Sequence, residues 1–205
     1  MTAKYYCKSS IVRVALLLLA LTACITGLAP LFSSSARADT TAAHIRWDII
    51  TIVPGPLAQP GGIASALAND GSQITITGSG TFVAPAGGDG TSSAATGGGT
   101  WAVFASAGDI TPSANGTYRI TGLVRWDEKG TFPQEVNAVG GLAVLRVEFS
   151  DGDHGVLTVS CHAASGSDPA IFEGITMSKS FVDYWNREAP VGGVDANRTL
   201  FHRLD

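Results

Sequence analysis

The stretch LAVLRVEFSDGDHGVLTVSCH, residues 142–162, constrains the fold of this 205-residue chain more than any other. Ala143, Leu145, Val147 and Phe149 share one parity before its centre, and Leu157, Val159 and Cys161 share one after it. Arg146 and Glu148, then Thr158, Ser160 and His162, take the opposite parity. Successive strand residues point to opposite faces of a sheet. The stretch therefore predicts an antiparallel hairpin with its apolar face on a core and its polar face toward water or a cleft. SDGDHG, at 150–155, supplies the Asp-Gly chemistry of a tight strand–strand turn.

The same grammar runs through much of the chain. HIRWDIITI (44–52) is rich in β-branched and aromatic residues, and QITITG (73–78) alternates with period two. GTFVA (80–84), TWAVFA (100–105), TYRITGLVRW (117–126) and IFEGITM (171–177) read as further strands, punctuated by Gly, Asp-Gly and Asn-Gly. The one weak helical candidate is GGIASALAND (61–70), and no βαβ alternation appears. The fold class expected is all-β, a single antiparallel β-sandwich or β-barrel domain of about eight to ten short hairpin-connected strands. PAGGDGTSSAATGGG (85–99) reads as a flexible loop; it lacks the Lys and the following helix of a phosphate cradle.

The N-terminus reads as an export segment over 1–38. Lys4, Lys8 and Arg13 precede an apolar run, and Ala36 and Ala38 fit a small-x-small cleavage site before Asp39. Two alternatives stand beside cleavage. LTAC (21–24) resembles a lipobox, with Cys24 lipidated, and residues 11–32 are long and apolar enough for an uncleaved anchor. Each of the three predicts a secreted or otherwise extracytoplasmic domain over 39–205, touching a membrane only through the N-terminal segment; the layout is of bacterial type. That domain carries nine Lys and Arg against seventeen Asp and Glu, a formal charge of 9 − 17 = −8, which disfavours nucleic acid as a partner. Cys161 is its one cysteine, so no internal disulfide is expected.

Four groups of residues bear chemistry. Cys161 and His162 adjoin, but strand alternation turns them to opposite sides, so a Cys–His dyad is not expected. Asp151, Asp153 and His154 are similar to the start of a calcium or zinc site, yet position twelve of a calcium loop falls on His162 where Glu is needed; the turn is the preferred reading. Glu148, Glu173, Asp183 and Glu188 could supply the carboxylate pair of a glycoside hydrolase, and Arg146, Glu148 and His162 could meet on the polar hairpin face. The richest stretch is SFVDYWNREAP (180–190). As a strand it sets Phe181, Asp183 and Trp185 against Val182 and Tyr184, with Asp183 requiring Arg187 or Arg198 if buried. It is either a C-terminal cap held by aromatic burial or a ligand site formed by Asp183, Tyr184, Trp185, Arg187 and Glu188. NGT (115–117) and NRT (197–199) match glycosylation sequons, and Asn115-Gly116 reads as a turn.

The reading that follows is a non-catalytic extracytoplasmic binding module for a carbohydrate or small molecule, without a cofactor. The alternatives are a small secreted hydrolase or barrel-type isomerase using carboxylates with His162, and a structural surface protein that associates along a strand edge.

Overall fold

A computed structural model describes residues 42–205, apart from 54–56, 86–90, 163–164, 167, 170 and 193–195. The export-type segment, Cys24 and the anchor alternative lie outside the described residues. Those residues form twelve strands and no helix: β1 (Ala43–Val53), β2 (Leu57–Pro60), β3 (Ala64–Ala68), β4 (Gln73–Ile76), β5 (Ser79–Ala84), β6 (Ala95–Phe104), β7 (Ala114–Thr131), β8 (Ala138–Phe149), β9 (His154–Cys161), β10 (Gly174–Lys179), β11 (Val182–Arg187) and β12 (Arg198–Arg203).

Ten of them close into an antiparallel barrel in the order β12–β1–β5–β6–β4–β3–β11–β10–β9–β8. The ring shuts where β12 meets β8, through Phe201↔Val139 and His202↔Ala138. Two strands are extra. β2 pairs β1, and β7 runs along β8 while its first half also pairs β6. The alternation read from the sequence thus belongs to a barrel, not a sandwich.

The predicted hairpin forms as β8 and β9, in register from Gly141↔Cys161 to Glu148↔His154. The Gly152 N–H donates to the Phe149 carbonyl across a turn where Gly152 has φ 91°. Every residue of the apolar parity is buried. The polar parity departs at one residue. Ser160 is fully buried, because its hydroxyl donates to the Phe172 carbonyl at 2.7 Å and its own carbonyl accepts from Thr199 Oγ1 at 2.6 Å. The segment before β10 and the start of β12 cover it.

The core joins these strands through aromatic side chains. Trp126 of β7 lies 5.4 Å from Phe82 and 4.7 Å from Phe201, ring centre to ring centre. Phe149 packs edge-on to Trp101 at 5.8 Å and tilted on Tyr118 at 6.4 Å.

Three local expectations are corrected. The helical candidate 61–70 contains strand β3. Its Ala64, Ala66 and Ala68 are buried between β4 and β11, and partners on both edges outweigh the weak helix preference of a short Ala-rich run. The C-terminal third of the loop assigned to 85–99 is the start of β6. There glycine serves close backbone approach: a Cβ on Gly99 would stand 2.0 Å from the Thr77 carbonyl oxygen, and one on Gly98 2.1 Å from that of Tyr118. Asn115 and Gly116 lie inside β7, paired with Ala102 and Trp101, rather than in a turn.

Candidate functional site

The stretch 180–190 divides by parity. Tyr184 is buried in the core, and Ala189 is buried beyond the end of β11. The following segment is pinned to β3 and β4. Gln73 Nε2 donates to the Pro190 carbonyl at 2.9 Å, Asn197 Nδ2 donates to that of Ala189 at 3.1 Å, and the Ser65 N–H donates to Asn197 Oδ1 at 2.6 Å. Leu200 and Phe201 are buried in β12. These residues do the work expected of a cap. Asp183 and Trp185 do not: both face solvent, and Trp185 is 71% exposed. Asp183 has no ion pair among the described residues, and its exposure removes the need for one.

A β-bulge fixes the position of Trp185. Tyr184 pairs Ala68 and Asn186 pairs Leu67, so β11 carries one residue more than β3, and that residue is Trp185. A bulge bends its strand and re-aims the side chain on it. Here it raises the indole beside a groove of about 450 Å³ over β9, β10 and β11, lined by Val156, Thr158, Thr176, Ser178, Asp183 and Trp185. The register places these side chains in rows. Ser178 is level with Asp183, and Thr158 with Thr176. Ser178 Oγ accepts the Val156 N–H at 3.0 Å, which leaves its hydroxyl proton unspent.

The remaining expected site residues scatter. Arg146 lies on the outer face of β8, level with Val156 at the groove's far side. Glu148 is ion-paired with Arg119 of β7 and borders a separate small recess. The Arg187 guanidinium stacks 4.8 Å above the Phe172 ring, and Glu188 is exposed at φ 57° beyond the end of β11. His162 lies past the end of β9, not on the outer face with Arg146 and Glu148. Glu148, Glu173 and Asp183 therefore border three different cavities.

His162 belongs to a second cavity, of about 360 Å³, that the sequence did not suggest. Ile50, Ile52, Ala58, Phe132 and Leu200 give it apolar walls, and His162, Glu173 and Arg198 stand among its polar groups. Glu173 bridges two strands: Oε2 accepts the His162 N–H at 2.9 Å and Oε1 the Thr199 N–H at 2.8 Å. Burial pushes its carboxyl above the ordinary range, and the N–H donors and nearby Arg198 only partly offset this. His162 Nδ1 is 2.8 Å from the Ile171 carbonyl. A carbonyl only accepts, so Nδ1 carries the proton and Nε2 is left unspent.

At the opposite end of β9, Asp151 and Asp153 of the β8–β9 turn are both ion-paired with Lys179. The Lys179 ammonium also lies 4.5 Å from the Trp101 ring centre and 5.0 Å from that of Phe149. His154 is exposed and gives its carbonyl to the Ser180 N–H. Cys161 is buried, and burial together with nearby Glu173 raises its thiol far above the usual value, so it is not a thiolate nucleophile. The chain matches no protein-family model, no curated protein and no solved structure, and its functional reading rests on the geometry of these residues.

Proposed function

We propose that the barrel is a non-catalytic binding module, working outside the cytoplasm, that holds a carbohydrate in the groove over β9, β10 and β11. One observation carries this: Trp185, 71% exposed, stands on a β-bulge beside Asp183, Thr158, Thr176 and Ser178. A large aromatic side chain is ordinarily buried, and leaving one in water forgoes about 1.5–3 kcal/mol of burial. An indole face offers a flat apolar platform for the C–H face of a sugar ring. The carboxylate and hydroxyls around it suit ring hydroxyls as acceptors and donors. The extracytoplasmic placement rests on the export-type N-terminus. Intact mass of the mature product would distinguish a start at Asp39 from a lipidated Cys24.

Isothermal titration with soluble cell-wall and plant polysaccharide fragments tests the reading. Binding should weaken by at least tenfold, about 1.4 kcal/mol, in Trp185→Ala. The melting temperature of that variant should stay close to that of the parent, because the indole is mostly in water. A sugar that binds both proteins equally would remove the groove from consideration.

A further inference from the structure

We propose that the cavity between the ends of β1, β2, β9 and β12 is a second, independent binding site, for an amphipathic monocarboxylate with an apolar chain or ring. Its volume, about 360 Å³, lies within the range of small-molecule pockets. Its walls are Ile50 and Ile52 of β1, Ala58 of β2, Leu200 of β12 and Phe132 from the β7–β8 connection. Such walls reject a polyol, whose hydroxyls would lose water without replacement. They accept an alkyl or aryl body.

The polar groups select the head of the ligand. Glu173 is committed to the backbone N–H groups of His162 and Thr199. Glu135 is committed to His202, with Oε1 2.8 Å from Nε2. Three groups remain: Arg198, exposed and without a salt bridge among the described residues, the exposed Gln134, and His162 Nε2. Arg198 lies close enough to Glu173 to act on its charge but makes no contact pair with it. A guanidinium offers a planar fork of N–H donors that matches a carboxylate in bidentate fashion. An ammonium head would instead face Arg198 as a like charge. A neutral alcohol would leave the guanidinium unanswered.

Binding of octanoate, octanol and octylammonium to the full chain, followed by titration calorimetry, tests the site. Octanoate should bind, octanol at least tenfold more weakly, and octylammonium not measurably. Arg198→Gln, at an exposed position, should lose at least tenfold in octanoate affinity with little change in melting temperature. Ala58→Trp, which fills the cavity, should abolish binding. Trp185→Ala should leave octanoate affinity unchanged, which separates this site from the sugar groove. The proposal is overturned if octanoate fails to bind, if octanol or octylammonium binds as tightly, if Arg198→Gln binds octanoate like the parent, or if Trp185→Ala removes the binding.

Discussion

Lys179 shows how far a single side chain can be committed. It is reached by Asp151 and Asp153 from the β8–β9 turn and lies over Trp101 and Phe149. Burial alone would lower its pKa, but the bonds and charges of the two aspartates outweigh that and raise it. For Asp151 the same contacts win over burial and shift the group in the opposite direction. Partial burial would raise its carboxyl, and the Lys179 bond, the Asp153 N–H and the Lys179 charge together bring it below 3.8. The two shifts set two limits. The contribution of Asp151 is present above pH 3.8 and fades as pH falls through its lowered folded value. That of Lys179 is complete below pH 10.5 and fades as pH rises through its raised folded value. The aspartate side chains are 41% and 38% exposed, so water screens the ion pairs. Lys179→Met should therefore cost about 1–2 kcal/mol near neutral pH, mainly from the lost cation–aromatic contact and the charges left unpaired. Denaturant titration at pH 7 and pH 3 checks this: the gap between variant and parent should shrink at the lower pH.

At the scale of the element, β6 depends on having almost no side chains at its centre. It is held by β5 and β4 on one edge and β7 on the other, and Gly97, Gly98 and Gly99 let the three backbones meet. Gly99→Ala should destabilise the barrel by about 2–3 kcal/mol, since the carbonyl of Thr77, 2.0 Å from the new Cβ, belongs to backbone and cannot rotate away. Gly192→Ala is the matched control: nothing lies within 4 Å of its added Cβ, and its stability should change by less than about 0.5 kcal/mol. Chemical denaturation of both gives the comparison. Glycine repetition resembles a flexible loop in the sequence because the feature that makes it a strand, a neighbour pressing from each edge, is contributed by residues far along the chain. The same holds for β3, whose buried alanines have no preference strong enough to announce a strand. The hairpin of β8 and β9 was legible because each strand carries its own parity. Alternation put Asp183 on one face with Phe181 and Trp185 but did not say whether that face meets water, and the bulge that lifts Trp185 depends on its register with β3.

For the whole molecule, alternation identified an all-β domain but not how its strands close. Closure is decided by β12, the last strand. Arg198–Arg203 offers only a brief pattern, and its importance comes from pairing β1 along six residues and β8 at two. The cavity of His162, Glu173 and Arg198 was hidden for the same reason: its walls come from β1, β2, β12 and the segments flanking β9 and β10, which only closure brings together. The two ends of the barrel chain are tied directly, with the Leu204 N–H donating to the His44 carbonyl at 2.8 Å and the His44 N–H to Asp205 Oδ2 at 3.1 Å. At the centre of the seam, Phe201 is fully buried, level with Trp47 and Val139, and packed on Trp126. Phe201→Ala should cost about 3–5 kcal/mol, through lost burial and the cavity left between two tryptophans. For a domain of this size that lowers the melting temperature by about 10 °C. A chain ending at Asn197 removes the seam altogether and leaves the inner faces of β1 and β8 uncovered. It should lose cooperative thermal unfolding and bind a hydrophobic dye that the parent does not, whereas Phe201→Ala should keep a single transition. A cooperative transition in the shortened chain, near the parent melting temperature, would mean that β12 lies on a barrel already closed without it.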